Sequence, residues 1–177
     1  MSPHLLLRVL GLLLAVGLAG PGIARADESG EITRLFADGQ TMEALARIDR
    51  AIAAQPRDPK LQFQKAVMLG ELKRTDEAAE IYTQLTIDHA ELPEPYNNLA
   101  VIHAARGDLD QARAMLEGAL RAQPGYAAAH QNLGDVYVQL AQRAYTQALQ
   151  ADPSNRDIAP KLVQLRELVT PVADAPH

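Results

Sequence analysis

The sequence has no cysteine and no tryptophan, and aromatic side chains are only 4% of its 177 residues. Without cysteine there is no disulfide, no thiolate nucleophile and no lipid held through a thiol, so the chain must cohere by apolar packing alone. Basic runs are missing as well: 17 Lys and Arg stand against 22 Asp and Glu, for a net charge of −5. Such a balance offers nucleic acid no electrostatic footprint. Beyond residue 26 the serines are Ser29 and Ser154, both expected as caps near helix starts. No glycine-rich phosphate loop occurs, and His103 and His130 lie in different blocks of the chain with no H-x-x-x-H spacing. His103 therefore reads as a packed side chain. These absences leave no catalytic residues, no metal site and no cofactor to name, and they make a cell-wall hydrolase the least supported function.

Nor does any apolar run reach the roughly 20 residues needed to cross a bilayer. The longest candidate, VLGLLLAVGLAG, follows Arg8 and precedes PGIARA, where Ala24 and Ala26 bracket Arg25. A charged start, a short apolar middle and a small-x-small exit are the parts of a secretory signal peptide. Residues 1–26 are expected to be that leader, cleaved after Ala26. The remaining chain, residues 27–177, has no membrane span. Because Arg8 and Arg25 leave with the leader, its net charge becomes −7.

What the sequence does have is alanine-rich apolar content, 47% hydrophobic overall, and a period. Pro56 closes AIAAQPRDP, and Pro124 closes ALRAQPGY at twice an interval of 34. Blocks of 34 then run to Asp58, from Pro59 to Leu92 and from Pro93 to Tyr126, with a fourth starting at Ala127. A sustained period of this length marks a stack of similar units, each unable to bury its apolar stripe alone. In the third block Tyr96, Leu99, Ala100, Ile102 and His103 recur at helical spacing, GD interrupts, and Ala112, Leu116, Ala119 and Leu120 resume it. Gly107 suits a left-handed helix end, and Asp108 with Gln111 suggests a capping box for the next helix. Each of the first three blocks is thus read as a helical hairpin.

The string QNLGDVY from Gln131 to Tyr137 resembles the tetratricopeptide repeat. So do the alanine-framed strings Ala44–Ile48–Ala51, Ala112–Leu116–Ala119 and Ala141–Tyr145–Ala148. The resemblance covers nearly all of residues 27–155, although Glu28, Glu31, Ile32, Leu85 and Ala90 depart from it. It implies an all-α solenoid of such hairpins over 27–169. In such stacks the first helices of successive hairpins line a concave face that holds a peptide or partner helix. Carried onto this chain, that face comprises Lys60, Phe63, Gln64 and Val67, then Asn97, Asn98 and Val101, then Gln131, Asn132 and Asp135. Side-chain amides donate and accept, so the asparagines and Gln131 could clamp a peptide backbone without reading its sequence. Some members grip a terminal carboxylate with basic residues. Here Phe63 and Gln64 stand where those would help, which leaves Lys60 as the main cation, so that activity is not carried over.

The fourth block departs most. Its closing Pro153 arrives short of a full period after Pro124, and no Gly, Pro, Asn or Asp stands between Tyr137 and Asp152. The lost residues are those of the turn. One helix is therefore expected over 127–151, about 37 Å long at about 1.5 Å per residue. Its far half needs a cover. Ile158, Leu162, Leu165 and Val169 share one face of a following helix that could fold back as a cap, with Pro160 in its first turn. The alternative is a second subunit, a homodimer formed through Leu140, Tyr145 and Leu149. TPVADAPH, residues 170–177, is too polar and proline-broken to order itself. The combined expectation is an exported interaction module without enzymatic activity. Leader and fold together point to the periplasm of a Gram-negative bacterium, where it would serve as a scaffold or assembly factor for another protein.

Overall fold

The computed structural model describes residues 21–168, and every regular element among them is a helix. Of residues 21–27 only the backbone is described. The leader's apolar run, Val169 and the tail at 170–177 lie outside the described residues. In order the helices are α1 (Pro21–Ala37), α2 (Thr41–Ala54), α3 (Pro59–Glu71), α4 (Thr75–Asp88), α5 (Pro93–Ala105), α6 (Leu109–Ala122), α7 (Ala127–Ala151) and α8 (Ile158–Leu168). The chain divides into two compact units between Ala44 and Leu45.

In the first unit α1 runs unbroken through Ala26, and Ile32 and Leu35 are its buried residues. Ser29 falls inside this helix instead of capping it, and its carbonyl accepts a 3.0 Å hydrogen bond from Thr33 Oγ1. The helix closes on Gly39, whose φ of 77° lets the Gln40 amide donate back to the Leu35 carbonyl at 2.9 Å. That left-handed step is cheap for glycine and satisfies carbonyls the helix leaves open.

The same closure recurs in the second unit, one period and two periods further along the chain. Lys73 has φ 63° and Gly107 φ 81°, with the Arg74 amide bonded to the Leu69 carbonyl and the Asp108 amide to the His103 carbonyl, each at 2.9 Å. The Cβ of Lys73 makes this conformation unfavourable by about 1–2 kcal/mol, a cost glycine avoids. In the fourth block Ala141 aligns with Ala112 of the second helix, the turn residues between are missing, and α7 simply continues. The 25-residue helix expected over 127–151 is thus present without a break, because the stretch that makes the turn in the earlier hairpins is missing from the shortened fourth block.

Helix starts follow local chemistry. Asp58 caps α3, its carboxylate accepting from the Lys60 amide at 3.0 Å with Pro59 in the first turn, and Pro93 begins α5 in the same way. Asp108 departs from the capping box expected of it. Its side chain makes no cap bond, and its backbone amide is engaged in closing α5. Ser154 sits four residues before α8, in a turn where its amide and hydroxyl both donate to Asp152 Oδ1.

Packing in the second unit centres on α5. Leu99 and Ile102 join Ala66, Leu69, Ala78, Tyr82 and Leu85 in one buried cluster. On the other flank Ala100 joins Leu109, Ala112, Leu116, Ala119, Ala129 and Val136 in a second. Alanine pairs recur at the close approaches: Ala66 and Ala78 in one hairpin, Ala100 and Ala112 in the next, none more than 1% exposed.

In the second, third and fourth blocks the fourth residue ties its helix to what precedes it. Gln62 Nε2 donates to the Pro56 carbonyl at 2.8 Å, Tyr96 Oη to the Thr86 carbonyl at 2.9 Å, and His130 Nε2 to the Pro124 carbonyl at 2.9 Å. Asp76 with Arg106 and Asp110 with Arg143 bridge successive hairpins at 2.5 and 2.8 Å. These pairs are exposed and add little stability.

Beyond the last hairpin α8 folds back along α7. Ile158 is buried, Leu162 and Leu165 are half-buried, and Lys161 Nζ lies 5.4 Å from the centre of the Tyr145 ring. Leu140 is redistributed relative to expectation: it packs on the α5–α6–α7 core, which leaves Tyr145 and the half-buried Leu149 to the overhang.

Two backbone positions make this account testable by thermal or urea unfolding. Lys73→Gly is expected to stabilise the protein by about 1 kcal/mol through relief of the left-handed strain. Gly118→Ala is expected to destabilise it by about 1–3 kcal/mol. A Cβ there would meet Tyr96 Cδ1 at 2.7 Å, and the ring is held in place by its hydroxyl. Equal stability of either variant with wild type would contradict the packing described.

Candidate functional site

The first helices of the second unit's hairpins, α3, α5 and α7, lie in sequence, with α5 between the other two. At the N-terminal end of α3, Lys60 is exposed, while Phe63, Gln64 and Val67 are half-buried. Phe63 is partly consumed by the core: its ring stands 5.6 Å from that of Tyr82 at an interplanar angle of 56°. From α5 project Asn98 and Val101, and Val101 is 50% exposed. On α7, Gln131 and Asp135 are exposed and Asn132 is half-buried.

Asn97 departs from the expected pattern. It is buried, 7% exposed, and the sole polar residue among the described residues to be so. Asn132 Nδ2 donates to Asn97 Oδ1 at 2.8 Å, Asn97 Nδ2 reaches Asn98 Oδ1 at a long 3.4 Å, and Asn98 Nδ2 donates to the Tyr82 hydroxyl at 3.0 Å. A polar chain therefore runs from α7 through α5 to α4. The amides expected to grip a ligand are in large part gripping each other, since a buried amide must be paired to offset its desolvation. Burial pushes the Tyr82 hydroxyl above its ordinary pKa, against which the bond from Asn98 acts.

Two depressions flank Val101. One, of about 290 Å³, is lined by Gly70, Thr75, Ala78, Tyr82, Asn98 and Ile102 among others. The second, of about 160 Å³, lies between α5 and α7 and is lined by Leu116, Asn132, Asp135, Val136 and Gln139 with Ala100 and Ala104. Both have mainly apolar walls with a few polar groups at the edge, the usual make-up of a recognition pocket. The sequence reading missed Tyr82 and Gln139 as wall residues. Tyr82 lies on the second helix of its hairpin, and only packing brings it to the groove.

His103, read as a packed side chain, is one. Its Nδ1 is buried without a hydrogen-bond partner among the described residues, 3.9 Å from Asp108 Oδ2. No described helix is long and apolar enough to cross a membrane.

The network separates two residues that look alike in sequence. Asn97→Ala is expected to cost about 1–3 kcal/mol by leaving the Asn132 amide without its acceptor. Gln131→Ala, at an exposed position, should stay within about 0.5 kcal/mol of wild type. Urea unfolding of the two variants checks this, and similar losses at both positions would remove the assignment of Asn97 to the core.

Residues 30–91 and residues 103–143 each match a family model described as tetratricopeptide repeat. The chain is 36% identical over 87 residues to the chloroplastic tetratricopeptide repeat domain-containing protein PYG7 of Arabidopsis thaliana. That alignment covers 46% of this chain and 29% of the relative, so the chain spans less than a third of the relative's length. Among solved structures it is similar to the first tetratricopeptide repeat domain of Spaghetti (RPAP3) bound to the HSP90 peptide SRMEEVD. There the identity is 20% and the TM-score 0.58, covering 66% of this chain and 92% of that one. A thermophilic tetratricopeptide repeat protein of Thermus thermophilus is 24% identical with a TM-score of 0.58, covering 81% of each chain. With its period of 34, its repeated left-handed closures and both matched stretches, the chain belongs to the tetratricopeptide repeat family, a fold of protein-interaction modules.

Proposed function

We propose that this protein binds an extended segment of another protein along α3, α5 and α7 of its second unit. It does so as a periplasmic scaffold or assembly factor, after export and removal of residues 1–26. The observation that carries the binding reading is Val101: a half-exposed aliphatic side chain raised between two apolar depressions, where an incoming side chain on either side would cover it. An apolar residue left open in this way gains roughly 25 cal/mol for each Å² a partner removes from water. Asn98 and Asn132 border the same depressions and retain unfilled hydrogen-bonding capacity for a backbone. The peptide held by the similar Spaghetti domain supports this mode of contact. Export rests on the leader-like pattern of residues 1–26. No covalent step is involved; the mechanism is reversible burial on a rigid surface.

A second reading is self-association, favoured by the apolar surface that α8 leaves open. Val163 is 56% and Leu168 68% exposed. A dimer by light scattering of the full chain, lost on combining Val163→Asp with Leu168→Asp, is the outcome expected of that reading.

For the groove, the full chain is used as bait in envelope extract. Wild type should retain a partner that Val101→Arg loses, because the longer side chain obstructs both depressions while its exposed position spares the fold. Mass measurement of the recovered bait should give a chain beginning at Asp27. Retention of the same partner at the same yield by Val101→Arg would overturn the groove, and a recovered chain still carrying Met1 would overturn cleavage.

A further inference from the structure

The smaller depression carries a charge that nothing among the described residues answers. We infer that the pocket between α5 and α7 is a subsite for a basic side chain, lysine or arginine, of the bound segment, with Asp135 as its counter-ion. This deepens the groove reading and rests on it.

No basic residue lines the pocket, and several basic side chains of the second unit are engaged elsewhere: Arg106 with Asp76, Arg143 with Asp110, Arg113 with Asp110 and Glu117, Arg74 with Glu77, and Lys65 with Asp49. The Asp135 carboxylate, by contrast, makes neither an ion pair nor a hydrogen bond among the described residues. It is exposed, and it stands on the rim of a depression of about 160 Å³. The walls are Val101, Leu116 and Val136, and the side-chain amides of Asn132 and Gln139 share the rim.

That combination matches a long cationic side chain and little else. Lysine and arginine lay an apolar stem along hydrophobic surface and keep the charged head at the edge. Here the aliphatic walls take the stem, and Asp135 with an amide oxygen takes the head. A carboxylate partner would meet Asp135 with no cation on the pocket wall to offset it. A purely aliphatic side chain would fill the walls but leave the rim charge unanswered. Neither alternative uses all of what lines the pocket.

Asn97 is buried and bonded to Asn132, which lines the same pocket, so Asp135 is the residue offered as the contact.

The full chain can be selected against a random seven-residue phage library, and the strongest peptide then measured by fluorescence anisotropy at low and high salt. Wild type should select sequences with lysine or arginine at one recurrent position and with few acidic residues. Asp135→Asn should weaken that peptide on the order of tenfold at low salt, and the gap should shrink as salt rises. Replacing the peptide's basic residue by methionine should cost wild type a similar factor and cost Asp135→Asn nothing further, the mark of a direct pair. Equal affinity for wild type and Asp135→Asn, or a wild-type selection without a basic position, would overturn the subsite while leaving the groove intact. If the selected peptide binds Val101→Arg as tightly as wild type, or if no peptide is selected, the groove reading fails and takes the subsite with it.

Discussion

A helical hairpin has two apolar faces to hide and can cover only one of them by folding on itself. In the second unit α5 meets that constraint from both sides, giving Leu99 and Ile102 to one cluster and Ala100 to the next. Everything else in the unit follows from keeping those two contacts close. Alanine recurs where helices approach, Gly118 yields space to the Tyr96 ring, and the fourth residue of each of the last three blocks fastens the helix to what precedes it. A chain with no cysteine has no covalent means of holding such a row, so the contacts must be dense and repeated.

The same constraint accounts for the irregular end. A row of hairpins finishes with one face uncovered, and a protein exposing that face would associate without selectivity. Here the last turn is lost, the two half-helices fuse into α7, and α8 folds back over the overhang with Lys161 above the Tyr145 ring. The cover is partial, since Val163 and Leu168 remain open. The deletion therefore changes which surface ends the row, while the groove formed by α3, α5 and α7 keeps its composition.

The polar groups of this face are divided between those paired inside and those left open. Asn97 sits in the α5–α7 contact, where its pairing with Asn132 resists slippage of one helix past the other. Asn98 and Asn132 each use part of their hydrogen-bonding capacity inside and have part left for a partner. A network satisfied internally is rigid, and a rigid surface loses less freedom when a flexible segment binds it. The face thus combines an apolar ridge at Val101 with polar edges that are largely positioned before any partner arrives.

Local and periodic features were legible in the sequence. The period of the blocks, the helix end at Gly107, the proline-led starts of α3 and α5 and the uninterrupted α7 all depend on backbone preferences and on spacing within a few turns. Those are properties of neighbours in the chain. Lys73 shows where this reading stops. Its left-handed conformation is imposed by the repeat, against the residue's own preference, and only the helices packed on either side overrule it. Asn97 and Asn98 were indistinguishable as letters, yet one is buried and the other reaches Tyr82 from a half-buried position, because the approach of α7 decides which amide is covered. Leu140 likewise belongs to the hairpin core through where α6 meets α7, and the failed capping box at Asp108 reflects a backbone amide already engaged in closing α5. Helix identity and order were thus determined by the sequence alone, through short-range sterics and apolar period. Which residues of this face stay exposed was decided by tertiary contact, because burial is a property of neighbours in space.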